Sequence, residues 1–564
     1  AARLGAVPTP RSNQGGRRDR TMNLAILHYH LNRGGVTRVI ENHLAALDTV
    51  LDPADRWRVA LLYGGRREGW NEHLPATLRT ARLSLHEVPG LDYDQPHEEA
   101  DPGRPAPGGS PAALAAELTR LLGRIGFTPQ QTVLHVHNHA LGKNVSWPGC
   151  LKRLSTAGYP LLLQIHDFPE DFRPANYRRL RGALAVRRGA AAAPTARSSH
   201  GRPAAELDLA AELYPQAPHI HYAVLNGRDE RILGAAGVSA GRLHRLLNPV
   251  PEMDHLPPVS EARRLLAEKF GIAEHQRLLL YPVRCIRRKN VGEALLYAAL
   301  MAPEMMVGLT LPPLNPAEVP GYQSWKQLAA ELRLPCRFEL GVPGALSLAE
   351  NLAAADLICT TSLAEGFGMV FLESWLAGRP LVGRDLPEIT RDFTELGIRL
   401  DWLCPQLRVP VEWIGIDTFR RTILEAYRRT LEAYGREEPE DLPGLLHART
   451  EDGLVDFADL GATLQRQVLR IVSGSRENRR CVLRCNGWIE PALSIARDGV
   501  SGVIEANVRA VRQHFSLAAS GRRLLDVYRQ VAASPRSDRP EPLPNGDRIA
   551  REFLDFRRFR PIRE

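Results

Sequence analysis

The strongest constraint on the fold is a rhythm in the sequence. From Asn23 onward, short runs of β-forming residues alternate with amphipathic helical stretches, and the pattern occurs twice, on either side of a proline-rich break. Strands separated by helices pair in parallel, with helices covering the sheet. In the first unit NLAILHY (23–29) reads as a buried strand and HLNRGG as a turn. VTRVIENHLAAL (36–47) follows as a helix whose Val36, Val39, Ile40, Leu44 and Leu47 recur at helical spacing. Further strands are expected at TVLHVH (132–137), PLLLQIH (160–166), HIHYAVL (219–225) and RLHRLLN (242–248).

NPVPEMDHLPP (248–258), with four prolines, stops that series and reads as an interdomain linker. A second series runs through RLLLYPV (277–283), EMMVGLTL (304–311), RFELG (337–341), DLICTTS (356–362) and RPLVG (379–383). The expectation is an α/β protein with one domain over 22–248, a linker over 249–258 and a second domain over 259–502. Two helices, at 417–435 and 455–474, break the rhythm and mark a helical insertion at about 401–480. Residues 503–531 read as helical again. HEEADPGRPAPGGSPA (97–112) reads as a long exposed loop. Residues 1–21, with five Arg and no apolar run, read as a mobile basic tail rather than a secretory signal.

At 564 residues the chain exceeds what one core organises, in keeping with two domains. No run of about 18 apolar residues is present, so no membrane-spanning helix is expected. The seven scattered Cys read as reduced, buried thiols of a cytoplasmic protein. The net charge of +9 suits anionic ligands but, spread along the chain, does not choose among phosphates, acidic lipids and nucleic acid.

Two segments carry chemistry. In TTSLAEGFGMVFLESWLAGRPLVG (360–383) a strand ends near Ser362, a loop carries Glu365, Gly366, Phe367 and Gly368, and a helix begins near Met369. Glycines at a helix start expose backbone N–H groups that favour a phosphate. Glu373 lies within an apolar run, where a lone carboxylate is costly without a partner. Helical rise separates Glu365 from Glu373 by on the order of 10 Å, comparable to the span between the two sugars of a nucleotide-diphosphate sugar. In LLLYPVRCIRRKNVGEALLYAAL (278–300) the loop after a buried strand supplies Arg284 and Lys289 to neutralise a diphosphate. Arg287 and Arg288 read as surface charges, and Asn290 with Glu293 as a capping box.

These segments resemble glycosyltransferase family 4, retaining enzymes with the GT-B fold of two Rossmann-like domains facing across a cleft. The matching features are Gly34-Gly35, His166-Asp167, Asn248-Pro249-Val250, the Arg284/Lys289 pair, EGFGMVFLE (365–373), LPEIT (386–390) and HFSLAASGRRLLDVY (514–528). The resemblance covers about 22–400 and 503–531. It implies that 503–564 cross back to the N-terminal domain. It further implies that Glu373 holds the donor ribose, and that Glu365 with the backbone of Gly366, Phe367 and Gly368 meets the transferred hexose. Arg284 and Lys289 would stabilise the departing diphosphate, Gly34 and Gly35 would let backbone approach the donor, and His166 would assist the transition state. The implied reaction moves a hexose, with retention, from a nucleotide sugar to a hydroxyl acceptor. It needs no metal and no further cofactor. The lack of a lipid-inserting helix leans toward a small polyol, sugar or sugar acid as acceptor.

Alternatives stay open at this level. His135, His137 and His139 alternate in HVHNH and read as a metal cluster, as an acceptor-side contact through His137 or Asn138 with Asp167 beyond, or as ordinary strand-end histidines. An epimerase or hydrolase would use the same donor site. A non-catalytic binding protein is suggested by the basic tail together with REFLDFRRFRPIRE (551–564), whose interleaved aromatics and Arg suit a membrane surface or nucleic acid; for 551–564 a packed terminal helix is preferred, and no nucleic-acid partner is expected. HLNRGGVTR lacks the dehydrogenase fingerprint G-x-G-x-x-G.

Overall fold

The computed structural model describes residues 22–52, 57–94, 110–187, 204–253, 255–450, 452–495 and 497–564. The expected basic tail at 1–21 and most of the expected loop at 97–112 lie outside the described residues; that segment's end is the start of a helix, Pro111–Arg124, capped by the Ser110 hydroxyl.

The first sheet has seven parallel strands: β1 (Asn23–Leu27), β2 (Trp57–Tyr63), β3 (Ala81–Glu87), β4 (Thr132–His137), β5 (Leu161–Ile165), β6 (Ile220–Val224) and β7 (Leu243–Arg245), in the order β3-β2-β1-β4-β5-β6-β7. The second has six parallel strands: β8 (Arg277–Arg284), β9 (Met305–Leu311), β10 (Cys336–Arg337), β11 (Leu357–Thr360), β12 (Leu381–Arg384) and β13 (Leu403–Cys404), in the order β10-β9-β8-β11-β12-β13. Both are Rossmann-like. Each reverses direction of strand addition once, between β1 and β4 and between β8 and β11, and ligands bind outside the carboxyl ends at such points. The loops that carry Gly34-Gly35, Asn138, Arg284 to Lys289 and Glu365 all leave strands at these two points.

Three strands of these two sheets, β2, β3 and the two-residue β13, escaped the sequence reading. In β3 every residue is at least partly exposed, the signature of an edge strand without an apolar run. Of RFELG only Arg337 is in a strand, the two-residue β10.

The first sheet is closed on one face by helices Gly35–Asp48 and Leu517–Ala533, which pack against each other. A Cβ at Gly521 would sit 2.2 Å from the Ala46 carbonyl oxygen, so the crossing requires glycine there. Residues 501–533 form two helices, Ser501–Phe515 and Leu517–Ala533, because Ser516 caps the second through Ala519 N–H. The first packs on the C-terminal domain and the second on the N-terminal one.

The region after 401 is not purely helical. It contains an antiparallel pair, β14 (Arg408–Pro410) with β15 (Leu454–Asp456), so the expected helix at 455–474 begins only at Ala462. The insertion is bolted to the second sheet by a buried ion cluster. Arg384, 2% exposed, reaches Glu293 at 2.6 Å and Asp456 at 2.8 Å. It also touches the first domain: in helix Ile416–Tyr434, the Tyr434 hydroxyl donates to the Pro169 carbonyl (2.9 Å) and accepts from Arg173 N–H (2.6 Å).

Residues 551–564 pack on the body. Phe553, Phe556, Phe559 and Ile562 are buried, with Phe553 against Phe168 and Phe559 stacked on Phe172. The apolar side chains needed for membrane insertion are therefore spent in the interior. No helix among the described residues is long and apolar enough to cross a membrane.

Candidate active site

The loops after β8 and β11 are stapled together. Tyr281 Oη donates to the Lys289 carbonyl (2.9 Å), as does Thr361 Oγ1 (2.8 Å), and Leu363 N–H donates to the Arg288 carbonyl (2.8 Å). This brings three charged side chains to one point. Lys289 Nζ is paired with Glu365 Oε1, and Arg288 Nη1 lies 3.0 Å from Glu365 Oε2. Burial works against all three charges. Glu365 is nonetheless held down at about 2 by Lys289 and Arg288, while Lys289 ends below the usual lysine value because Arg288 adds repulsion to its burial. Arg288, expected at the surface, belongs to this cluster. The sequence showed only a run of three cations; which of them turns inward depends on the short 3-10 turn Arg287–Lys289. Arg287 does face outward, toward Glu318.

The expected capping box is absent. Asn290 adopts a left-handed conformation (φ 48°) and its side-chain amide donates to Glu293 rather than capping a backbone group. Glu293 is committed to Arg384.

Across the cleft, the β4 and β5 loops are locked by Asn138. Its φ is 59°, and its Oδ1 accepts from the backbone N–H of His166 (2.8 Å) and of Asp167 (3.0 Å). Asn138 therefore shapes the site from beneath, through its side chain, rather than presenting that side chain to an acceptor. His166 Nε2 shares a 2.9 Å hydrogen bond with His137 Nδ1, and the rings stack. Burial pushes His166 down to about 4 and His137 well below its usual value, so both are neutral at pH 7. Asp167 pairs with Arg173 at 2.6 Å. Burial opposes its charge, but Arg173 and Arg288 hold it below the ordinary range.

The two halves meet at this place. Gly366 lies so close to His166 that a Cβ on it would approach the His166 carbonyl oxygen at 3.1 Å, and Asn226 Nδ2 donates to the Gly366 carbonyl at 2.6 Å. A cavity between them is lined by His166, Asp167, Arg173, Arg228, Arg288, Glu365, Gly366 and Arg563. Arg228 and Arg563 carried no local signal: each is an ordinary Arg in a polar run, brought in by folding.

Gly368 has φ 87°, and a Cβ there would strike the Phe371 ring at 2.6 Å, so the turn after Glu365 requires it. The Phe367 side chain is core, packed against Phe393 and Phe515, which leaves only its backbone for a ligand. The helix that follows is short, Val370–Leu376. On it Glu373 is half-buried and its carboxylate has no hydrogen-bond partner among the described residues. Desolvation alone raises it to about 7.

Arg284 stands apart from the Lys289 cluster. Its Nη1 donates to the Pro312 carbonyl (2.9 Å), and burial together with the positive charge of Arg33 lowers its pKa. Arg33 immediately precedes Gly34-Gly35, so two guanidinium groups from opposite domains share one field beside that turn. At Gly35 a Cβ would meet no protein atom within 4 Å, and at Gly34 only the Asn32 carbonyl at 3.8 Å. Protein packing does not demand glycine at either position; both face open space.

The histidines separate. His135 and His137 share a face, as their spacing requires, but His139 lies past the strand end and hydrogen-bonds the Leu213 carbonyl. The third member of the cluster is His43 from helix Gly35–Asp48; with His135 and His137 its ligand atoms lie within 4.8 Å of one another. Both nitrogens of His135 are engaged, by Tyr528 Oη and Gln164 Oε1, each at 2.8 Å.

No family model matches the chain. A curated relative, mannosylglucosyl-3-phosphoglycerate synthase of Petrotoga mobilis, is 24% identical over 381 residues, spanning 66% of this chain and 67% of that one. Among solved structures, sucrose-phosphate synthase from Thermosynechococcus elongatus aligns over 91% of this chain and 99% of its own with a TM-score of 0.50 and 16% identity. HepE of Anabaena, solved with UDP and glucose, aligns over 90% of this chain and 99% of its own with a TM-score of 0.49 and 15% identity. The two facing Rossmann-like domains are thus the GT-B fold.

Proposed function

We propose that this protein is a retaining glycosyltransferase that moves a hexose from a nucleotide-diphosphate sugar to a hydroxyl acceptor. The observation that carries the reading is the convergence of Lys289 and Arg288 on Glu365, directly across the cleft from His166 and Asp167. The curated relative, a synthase of a glycosylated phosphoglycerate, agrees in reaction class.

In this reading Glu373 accepts hydrogen bonds from the donor ribose, which supplies the partners its carboxylate lacks. Arg284, with Arg33 from the other domain, and Lys289 meet the diphosphate and stabilise the charge that grows as it leaves, which is the largest contribution expected in such a site. Glu365 and the backbone of residues 366–368 orient the hexose. Neutral His166 offers its carbonyl and an uncharged imidazole to the sugar, stabilising positive character at the anomeric carbon without a competing cation.

A double-displacement route needs a free carboxylate on the acceptor side. Asp167 is paired with Arg173, and Asp171 with Arg563. Glu170 is buried against Tyr214 Oη and raised to about 7 by that burial. These pairings support attack from the same face that the diphosphate leaves, with the departing phosphate taking the acceptor proton. The acceptor we favour is a small polyol, sugar or sugar acid.

The test is a screen of nucleotide sugars by thermal shift, followed by release of free nucleotide with and without candidate acceptors. Lys289→Ala should then lower turnover by about 100-fold or more. Near-native turnover in that variant sinks the assignment. Nucleotide release that is indifferent to every acceptor supports a hydrolase instead.

A further inference from the structure

The acceptor side of the cleft holds a cation, Lys143, that the reaction outlined above does not use. Lys143 lies in the loop after β4, and its ammonium makes no ion pair or hydrogen bond among the described residues. Its basic neighbours are all matched: Arg66 with Asp92, Arg179 with Asp94, and Arg173 with Asp167. Lys143 is partly shielded from solvent, and burial together with the positive charges of Arg173 and Arg179 disfavours its protonated form. An uncompensated charge in that setting is stabilised by an anion.

The position is built rather than incidental. Gly142 turns the chain with φ 77°, and the Lys143 carbonyl accepts from Asp94 N–H at 2.9 Å. Asn144, 1% exposed, donates to the carbonyls of Gly90 (2.9 Å) and Asp92 (2.7 Å). The ammonium rests 5.3 Å from the centroid of the Tyr93 ring, which is also flanked by His30 at 4.9 Å, Tyr29 at 5.2 Å and the Arg66 guanidinium at 5.1 Å. His30 follows β1 and Lys143 follows β4, so this group stands beyond the carboxyl ends of the two strands between which the first sheet reverses.

We infer that Lys143, on the floor made by Tyr93 and beside Arg173, is a subsite for an anionic group, phosphate or carboxylate, carried by the acceptor. The inference rests on the glycosyltransferase reading for the word acceptor, but not for the anion site itself. A neutral polyol would leave Lys143 unmatched; an anionic sugar or sugar acid would pair with it while its hydroxyl reaches the cleft. Arg173, already bound to Asp167, acts as a second contact and not as the primary one.

The experiment uses the full chain, with and without saturating UDP or GDP, whichever raises the melting temperature. Inorganic phosphate and acetate are titrated by calorimetry at constant ionic strength, with chloride as the balancing ion. One of the two should bind with nucleotide present, and which one names the acceptor's anionic group. Lys143→Ala should weaken that binding by about fivefold or more, the worth of one charge-assisted contact. Lys143→Arg should restore it to within about twofold, and nucleotide affinity should be unchanged in both variants. Binding in Lys143→Ala equal to that of the unaltered protein overturns the proposal, as does failure of both anions to bind more tightly than chloride. If neither nucleotide binds, the donor reading fails while the anion titration without nucleotide still decides this subsite.

Discussion

Glu373→Gln separates the cost of the donor site from its use. The carboxylate is half-buried without a partner among the described residues, and desolvation lifts it from 4.5 to about 7. That rise corresponds to roughly 3 kcal/mol at 1.36 kcal/mol per unit; partial exposure of the residue reduces the expected effect to about 1–2 kcal/mol. Below about pH 4.5 the group is neutral in the folded and unfolded chain and costs nothing. Between 4.5 and 7 the unfolded chain ionises first, so stability falls as pH rises, and above 7 the full penalty is present. The amide carries no such penalty. The ligand-free variant should therefore melt with the unaltered protein at pH 4 and about 1–2 °C higher at pH 8. The same substitution should weaken nucleotide-sugar binding by about tenfold at pH 8, because an amide accepts the ribose hydroxyls less well than a carboxylate. Paired thermal melts and calorimetric titrations at the two pH values read both effects. A variant less stable at pH 8, or equally stable at both, would refute the reasoning about desolvation. Unchanged nucleotide-sugar affinity would remove Glu373 from the donor site.

Two further outcomes follow from buried groups. Arg384→Met leaves Glu293 and Asp456 facing each other in the interior, and should cost about 3–5 kcal/mol in urea unfolding, with the insertion loosening from the second sheet first. Asn138→Gly keeps the left-handed backbone at φ 59° but removes the oxygen that holds His166 and Asp167. Turnover should fall about tenfold or more while nucleotide affinity is retained; turnover near the unaltered level would show that the His166 turn holds itself.

Much of the architecture was legible in the chain because strand and helix periodicities are local. β4, at 132–137, matches the expected segment at both ends, since every one of its residues is buried and its β-branched and apolar residues are close together in the chain. β3 was invisible for the opposite reason: ARLSLHE sits at a sheet edge and has no buried face to advertise. The capping box at Asn290 failed although its residue pattern was present. Glu293 had a stronger partner in Arg384, 91 residues away, and a buried ion pair outweighs a cap.

The sequence by itself determined that two parallel, helix-covered sheets form and that Glu365 and Lys289 follow strand ends. These are consequences of residues near one another in the chain. Only the tertiary structure decided which charges face each other. Arg288 turned inward beside Glu365, Asn138 became a brace for His166, and Lys143 was left without a counter-charge among the described residues. Helix Ile416–Tyr434 of the insertion and the segment around Arg563 were brought to the same cleft from far along the chain. The physical reason is that burial and pairing set the energy of a charge, and both depend on neighbours that only the fold supplies.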